Sequence, residues 1–288
     1  MSENEPSVEK YLVAYMDILG YRDKIRLHPE LVDEFLKTTL ATVERIKKIE
    51  RESKDYDPSM IPRIRTKIFS DNFIICMKWD PEKKIIPHHM FHVSFFREIA
   101  ELQRVLLWEF NVLTRGSFTI GDLYIDDDCV YGPALIDAYE MENKEAKNPR
   151  MIIGDDTFDE ILASIDEDHT DHMRVEYFFL KDADGWRYLD YYRPMLWFEP
   201  NFQDEPSSEE CELMDCLSKI DDSILKVVEN ANSNTDFIRE ERNRMKLSWI
   251  IDNYNNGCEH MRMKKHLSCT IRTESGLKRL DVRRDDKK

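Results

Sequence analysis

An apolar run over residues 11–16 (YLVAYM) stops abruptly at Asp17, the pattern of a buried strand that ends on a carboxylate. Pro29 then opens a stretch carrying Val32, Leu36, Leu40, Val43 and Ile46 at spacings of three and four. That spacing predicts a helix with one apolar face, with proline in the first turn where its missing N–H costs nothing. Residues 63–69 alternate Ile64, Thr66 and Ile68 against Arg65, Lys67 and Phe69, and residues 73–77 (FIICM) follow after only Ser70, Asp71 and Asn72. A tight hairpin with Asp71 at its tip is expected. A second amphipathic helix is predicted over 90–110, then a strand over 112–120 that leads through Gly121 into a partner at 123–125.

The order strand, helix, hairpin, helix, strand is that of a split βαβ core of the ferredoxin type. It predicts an α+β fold with a largely antiparallel sheet and helices on one face. Gly132–Pro133 begins another helix (ALIDAYEMENKEA) that Asn148–Pro149 ends, residues 150–153 read as a short strand, and 155–165 as a helix. VEYFFL and WRYLDYY read as a hairpin turned at 182–185. Past residue 205 the pattern changes to long helices over 207–229 and 234–254, stopped by Asn256–Gly257, with a frayed tail after Leu280. The expected division is a core over 1–200 and a helical extension over 201–288.

Composition narrows the partners. With 58 acidic against 42 basic residues the net charge is −16, which argues against duplex DNA, because nonspecific affinity there comes from neutralising phosphates. An acidic chain that handles a triphosphate must meet it through metal ions and a few placed cations. No run approaches the roughly 20 apolar residues of a spanning helix, and residues 1–10 have no signal-peptide core, so a cytoplasmic protein without a membrane partner is expected. The six cysteines show no CxxC spacing, which argues against a disulfide framework or a zinc site. His88, His89 and His92 have no zinc-binding spacing and are read as surface residues, and Asp126-Asp127-Asp128 as a solvated loop.

Asp17 taken alone reads as a cap and Asp71 as a turn residue. In a split βαβ core, however, their two positions can be neighbouring strand ends. Paired carboxylates there are hard oxygen donors suited to two Mg²⁺ or Mn²⁺ ions about 3.5–4 Å apart. The residues that follow, Ile18, Leu19, Gly20 and Tyr21, are read as a turn whose backbone N–H groups cradle phosphates at a helix start.

The words AYMDILGYRD, KIFSDNFIICM and LTRGSFTIGDLYIDDDCVYGPALIDAYEMENKEAKNPRMII, in this order over residues 11–154, resemble the catalytic domain of class III adenylate and guanylate cyclases. The spellings GPALIDAYEMEN and AKNPRMII look closest to the pyrimidine cyclases of the bacterial antiphage system called Pycsar, which make cyclic UMP or cyclic CMP on infection. The resemblance implies that Asp17 and Asp71, with the Ile18 carbonyl, bind two divalent ions per site. It puts Lys67 in the register of a purine-reading lysine and makes Arg115 a phosphate contact. It further implies a homodimer with sites between the subunits and a separate effector protein that reads the product.

Departures from the pattern qualify the transfer. Ile136 and Glu140 stand where the family has a transition-state asparagine and arginine, Cys129 where it has a base-reading aspartate, and Ser70 replaces the hairpin glycine. The stabilising cation or donor is then expected from Arg115, Arg150 or the Tyr139 hydroxyl. The function expected is conversion of UTP, or else CTP, to the 3′,5′-cyclic monophosphate. A degenerate nucleotide-binding module and another two-metal, palm-type nucleotidyl transferase are the alternatives.

Overall fold

The computed structural model describes residues 7–52, 63–80, 86–165, 170–192, 208–234, 240–260, 267–274 and 277–284. Two units are distinguished, Met1–Leu102 with Thr114–Tyr191, and Gln103–Leu113 with Tyr192–Lys288.

In the first unit β1 (Glu9–Leu19) buries every residue from Tyr11 to Met16, the mark of a strand covered on both faces. It is followed by α1 (Tyr21–Leu27), a short 3₁₀ turn (Pro29–Leu31), α2 (Val32–Glu52), β2 (Ile64–Phe69) and β3 (Asn72–Lys78). Next come α3 (Ile86–Phe110), of which Gln103 onwards is counted with the second unit, β4 (Leu113–Ile125), β5 (Val130–Tyr131), α4 (Pro133–Glu145) and β6 (Met151–Ile153). The unit closes with α5 (Asp155–Ala163), α6 (Thr170–Phe178), β7 (Phe179–Lys181) and β8 (Arg187–Leu189).

The strands form one sheet in the order β2-β3-β1-β4-β6-β8-β7, with β5 paired to the end of β4. β3 runs antiparallel between β1 and β2, which is the split of a βαβ unit. β4 and β6 are parallel, whereas β8 is antiparallel to both β6 and β7. The result is an α+β unit built on a largely antiparallel sheet.

Side-chain parity on β4 separates the two faces. Phe118 meets Phe96 of α3 edge-on at 5.3 Å and shares a ring cluster with Phe179. Ser117 and Thr119, one residue either side, donate to the Ala138 and Ala134 carbonyls of α4 at 2.6 and 2.9 Å. Thus α4 covers part of the face opposite α3. The small residues Ala134 and Ala138 let it close down on the strand beside Gly121, whose added Cβ would lie 3.2 Å from Ala134.

Several elements depart from the pattern-based expectation. On α2 the buried stripe is Phe35, Thr39, Thr42, Val43 and Ile46, while Val32, Leu36 and Leu40 are exposed. Thr42 is accommodated because its hydroxyl bonds to the Thr38 carbonyl at 3.0 Å, so threonines read as polar belong to the inner face. β4 continues unbroken through Gly121, and its partner is the later β5, with Tyr124 opposite Tyr131. The segment read as strand VEYFFL is mostly α6, and only Phe179–Lys181 pairs with β8. His92 is buried against Trp79, with ring centroids 5.1 Å apart, and is not a surface residue.

The second unit contains α7 (Ser208–Ser233), α8 (Glu241–His260) and a β9 (Leu267–Glu274)–β10 (Leu277–Arg284) hairpin. Leu217, Ile220, Ile224, Leu247, Ile250 and Ile251 supply its core. The Asn255 amide both donates to and accepts from the Leu267 backbone at 2.8 Å, and Asn232 does the same to Leu280. Of the tail expected to fray, residues 281–284 belong to β10 and residues 285–288 lie outside the described residues, and the extension is not purely helical. Asn256–Gly257 does not stop α8 either. Gly257 lies against the Tyr192 ring, where a Cβ would come within 2.9 Å, so close packing explains the glycine. Among the described residues no helix is long and apolar enough to cross a membrane.

Candidate active site

The β1–β3 register sets Asp17 opposite Asn72, and the Ile18 N–H donates to the Asp71 carbonyl at 3.0 Å. Asp17 and Asp71 thus stand on adjoining strand ends although 54 positions separate their numbers. Ser70 makes the tight turn between β2 and β3 at φ +57°, a left-handed conformation that glycine adopts more readily.

Residues directly opposite in antiparallel strands share a face. Phe69, Asn72 and Asp17 make one row across β2, β3 and β1, and Lys67, Ile74 and Tyr15 make the next. Tyr15 and Ile74 pack with Ala134 and Ala138, so both rows face the α4 side. Arg115 has the parity of Ser117 and Thr119 and joins them there. Its Nε lies 3.5 Å from Asp17 Oδ2 and 2.5 Å from Oε1 of Glu142, a residue on α4 that is only 3% exposed.

Tyr15 completes the cluster. Its hydroxyl donates to Asn72 Oδ1, the Asn72 amide reaches Asp71 Oδ1 at 3.4 Å, and its ring meets Tyr139 edge-on at 5.8 Å. Burial first, then the charge of Glu142 and Asp17, pushes its ionisation well above the ordinary phenol value. Tyr15 is therefore a protonated donor, and negative charge from three carboxylates gathers around it.

Among the described residues no group of three or more His, Cys, Asp and Glu is placed to hold a metal. Two carboxylates at adjoining strand ends do not make an all-protein cage. They do fit a Mg²⁺-type ion, which takes one or two carboxylates and completes its shell with water and substrate phosphates.

The phosphate-cradling turn read from Ile18 to Tyr21 is narrower than expected. Ile18 and Leu19 still belong to β1, Ile18 is buried, and its N–H is already given to Asp71. The ladder ends at the Asp17–Asn72 pair, but β1 continues to Leu19, so the chain breaks only at Gly20, which takes φ +76°, and Tyr21 begins α1 edge-on to Phe35.

Lys67 donates its ammonium to the Asp127 carbonyl in the loop between β4 and β5. Asp126 builds that loop by accepting from the Tyr124 hydroxyl at 2.5 Å and from the Cys129 and Asp128 N–H groups at 2.7 and 2.9 Å. The Tyr124 bond, followed by the two backbone bonds, holds Asp126 down to about 2, and the same Tyr124 bond pushes Tyr124 up to about 12. Cys129 lies within electrostatic reach of Lys67. A cavity of about 590 Å³ opens beside them, lined in part by Lys47, Arg65, Thr66, Lys67, Asp126 and Asp127.

Two residues of the departed α4 pattern face outward: Ile136 is 59% exposed, and Glu140 pairs with Lys144 at 2.6 Å. Tyr139 is half-exposed beside Tyr15. Arg150 does not belong to the cluster. Its side chain is fully buried, paired with Asp182 and Asp184 and placed over the Tyr188 ring, so it ties down the β7–β8 turn and leaves the candidate cations. Sequence reasoning missed Tyr15, Asn72 and Glu142. The available signal for Glu142 was the spacing Ala134, Ala138, Glu142, which places a carboxylate on the inward stripe of a helix.

No family model matches the chain, and no curated protein matches it in sequence. Two structures of a bacterial light-regulated adenylyl cyclase align at 11% and 10% identity with TM-scores of 0.38 and 0.36, over 77% and 76% of this chain and 59% and 100% of theirs. A class III adenylyl cyclase-like ATP-binding protein from Pseudomonas aeruginosa aligns at 13% identity and a TM-score of 0.36, over 65% of this chain and 40% of its own. Likenesses this low carry no weight for function, and the fold stands on the strand order above.

Proposed function

We propose that the chain is a nucleotide cyclase that converts a pyrimidine nucleoside triphosphate, UTP in preference to CTP, into its 3′,5′-cyclic monophosphate and pyrophosphate. The observation that carries this reading is the meeting of Asp17 and Asp71 on adjoining strand ends, with Arg115 at Asp17. The ribose 3′-oxygen attacks the α-phosphorus in line, the bond to the bridging oxygen of the β-phosphate breaks, and the hydroxyl proton passes to solvent. Asp17 and Asp71, with the Ile18 carbonyl, would hold two Mn²⁺ or Mg²⁺ ions, which when bound acidify the 3′-hydroxyl and neutralise the departing pyrophosphate. Arg115 supplies a fixed positive charge to the phosphates, and the half-exposed Tyr139 supplies a hydroxyl. Lys67, which lines the cavity, and Cys129, within its electrostatic reach, occupy the base-reading registers, and Gly20 and Tyr21 would border the phosphates.

The preference for a pyrimidine rests on the resemblance of residues 132–153 and on Cys129 replacing an aspartate that reads purines. With it come a cytoplasmic homodimer whose sites lie at the subunit interface, and a second messenger for antiphage defence that a separate effector protein reads. A degenerate nucleotide-binding module is the second reading, favoured by the outward-facing Ile136 and Glu140. Incubation with each of the four nucleoside triphosphates and Mn²⁺, followed by mass analysis, tests both. A cyclic pyrimidine monophosphate is expected. Dinucleotide or polymer indicates a nucleotidyl transferase, and no product supports the binding module.

A further inference from the structure

Glu142 poses a problem of physical chemistry. A carboxylate buried on the inward stripe of a helix is costly unless a cation satisfies it, and the cation present is Arg115, 2.5 Å away. Ala134 and Ala138, two turns and one turn earlier on the same stripe, hold α4 close against β4 through the Ser117 and Thr119 hydrogen bonds. The Glu142 carboxylate is thereby fixed relative to the strand that carries Arg115. Both ion pairs of Arg115 make their contact at Nε, 2.5 Å from Glu142 Oε1 and 3.5 Å from Asp17 Oδ2, and the Glu142 contact is one of charge without hydrogen-bond alignment. A guanidinium is a rigid planar fork of donors, so a charge that fixes it at Nε also fixes where its terminal nitrogens meet a phosphate. Without Glu142 the nearest carboxylate is that of Asp17 at 3.5 Å, which the nucleotide reading needs for another purpose.

We propose that Glu142 is a positioning residue: its buried charge, 2.5 Å from Nε, holds the Arg115 guanidinium in place beside Asp17 and sets where the terminal nitrogens meet a triphosphate. The inference rests on the reading of Arg115 as a phosphate contact. Its test is a double-mutant cycle on the full chain, with inorganic tripolyphosphate in EDTA as the calorimetric probe and the melting temperature as a fold control. Arg115→Ala and Glu142→Gln are each expected to weaken binding about tenfold, and the double variant no further than Arg115→Ala alone. In turnover, Glu142→Gln is expected to lower kcat about tenfold to a hundredfold with KM little changed, the mark of a misplaced group. If Glu142→Gln unfolds, Glu142→Asp, which keeps the charge but falls short of Nε, carries the same expectation. Wild-type affinity in Glu142→Gln, additive losses in the double variant, or no tripolyphosphate binding by the parent chain overturns the proposal. A coupled binding cycle in a parent that turns over no nucleotide overturns the cyclase reading and leaves the positioning of Arg115 standing.

Discussion

Asp17 and Asp71 differ from asparagine by a charge and little else, so Asp17→Asn and Asp71→Asn test the electrostatics of the site with minimal change of shape. Each is expected to fold normally and to lower kcat about a thousandfold or more, measured as cyclic monophosphate formed per minute. Gly116 tests the scaffold beneath them. A methyl group there would overlap the Tyr15 carbonyl and the Met151 sulfur, forcing β4 away from β1. Gly116→Ala is expected to lose about 3 kcal/mol or more in urea denaturation. The two aspartates were legible because each follows or interrupts a strand pattern and sits within a family-like word. Glu142 was not, because a mid-helix glutamate reads as solvated until the packing of α4 is known.

The loop between β4 and β5 is organised by a single carboxylate. With its folded value held near 2, Asp126 favours the bonded loop while ionised, so its contribution is complete above the ordinary 3.8 and disappears as the pH falls through about 2. Tyr124→Phe removes the largest cause, and the Asp126 midpoint, followed by carboxyl NMR titration, is expected to climb from about 2 towards 3.8. Arg150 is the corresponding anchor of the β7–β8 turn. Arg150→Ala leaves Asp182 and Asp184 without it and is expected to cost about 3 kcal/mol, seen as a lower denaturation midpoint. Strong periodicities made β1, β2, β3 and α4 readable, whereas α2 hid its inner stripe behind Thr39 and Thr42. The β9–β10 hairpin was missed because its strands mix charged and apolar residues, and asparagine side chains on α7 and α8 help to hold it.

For the whole molecule, the excess of negative charge means that a polyanionic substrate gains nothing from the global field, so affinity must come from the local cluster and its ions. Sites shared between two copies predict that activity falls on dilution in step with the dimer fraction seen by analytical ultracentrifugation. Constant specific activity from dimer to monomer would contradict shared sites. The central claim is that Asp17 and Asp71 jointly hold divalent ions beside a triphosphate. Its most direct measurement is electron paramagnetic resonance of Mn²⁺ titrated into the protein with a non-reactive UTP analogue. Wild-type protein is predicted to bind the ion tightly, and Asp17→Asn and Asp71→Asn each to lose that binding while retaining their fold. Equal Mn²⁺ binding in the wild type and in both variants would contradict the account.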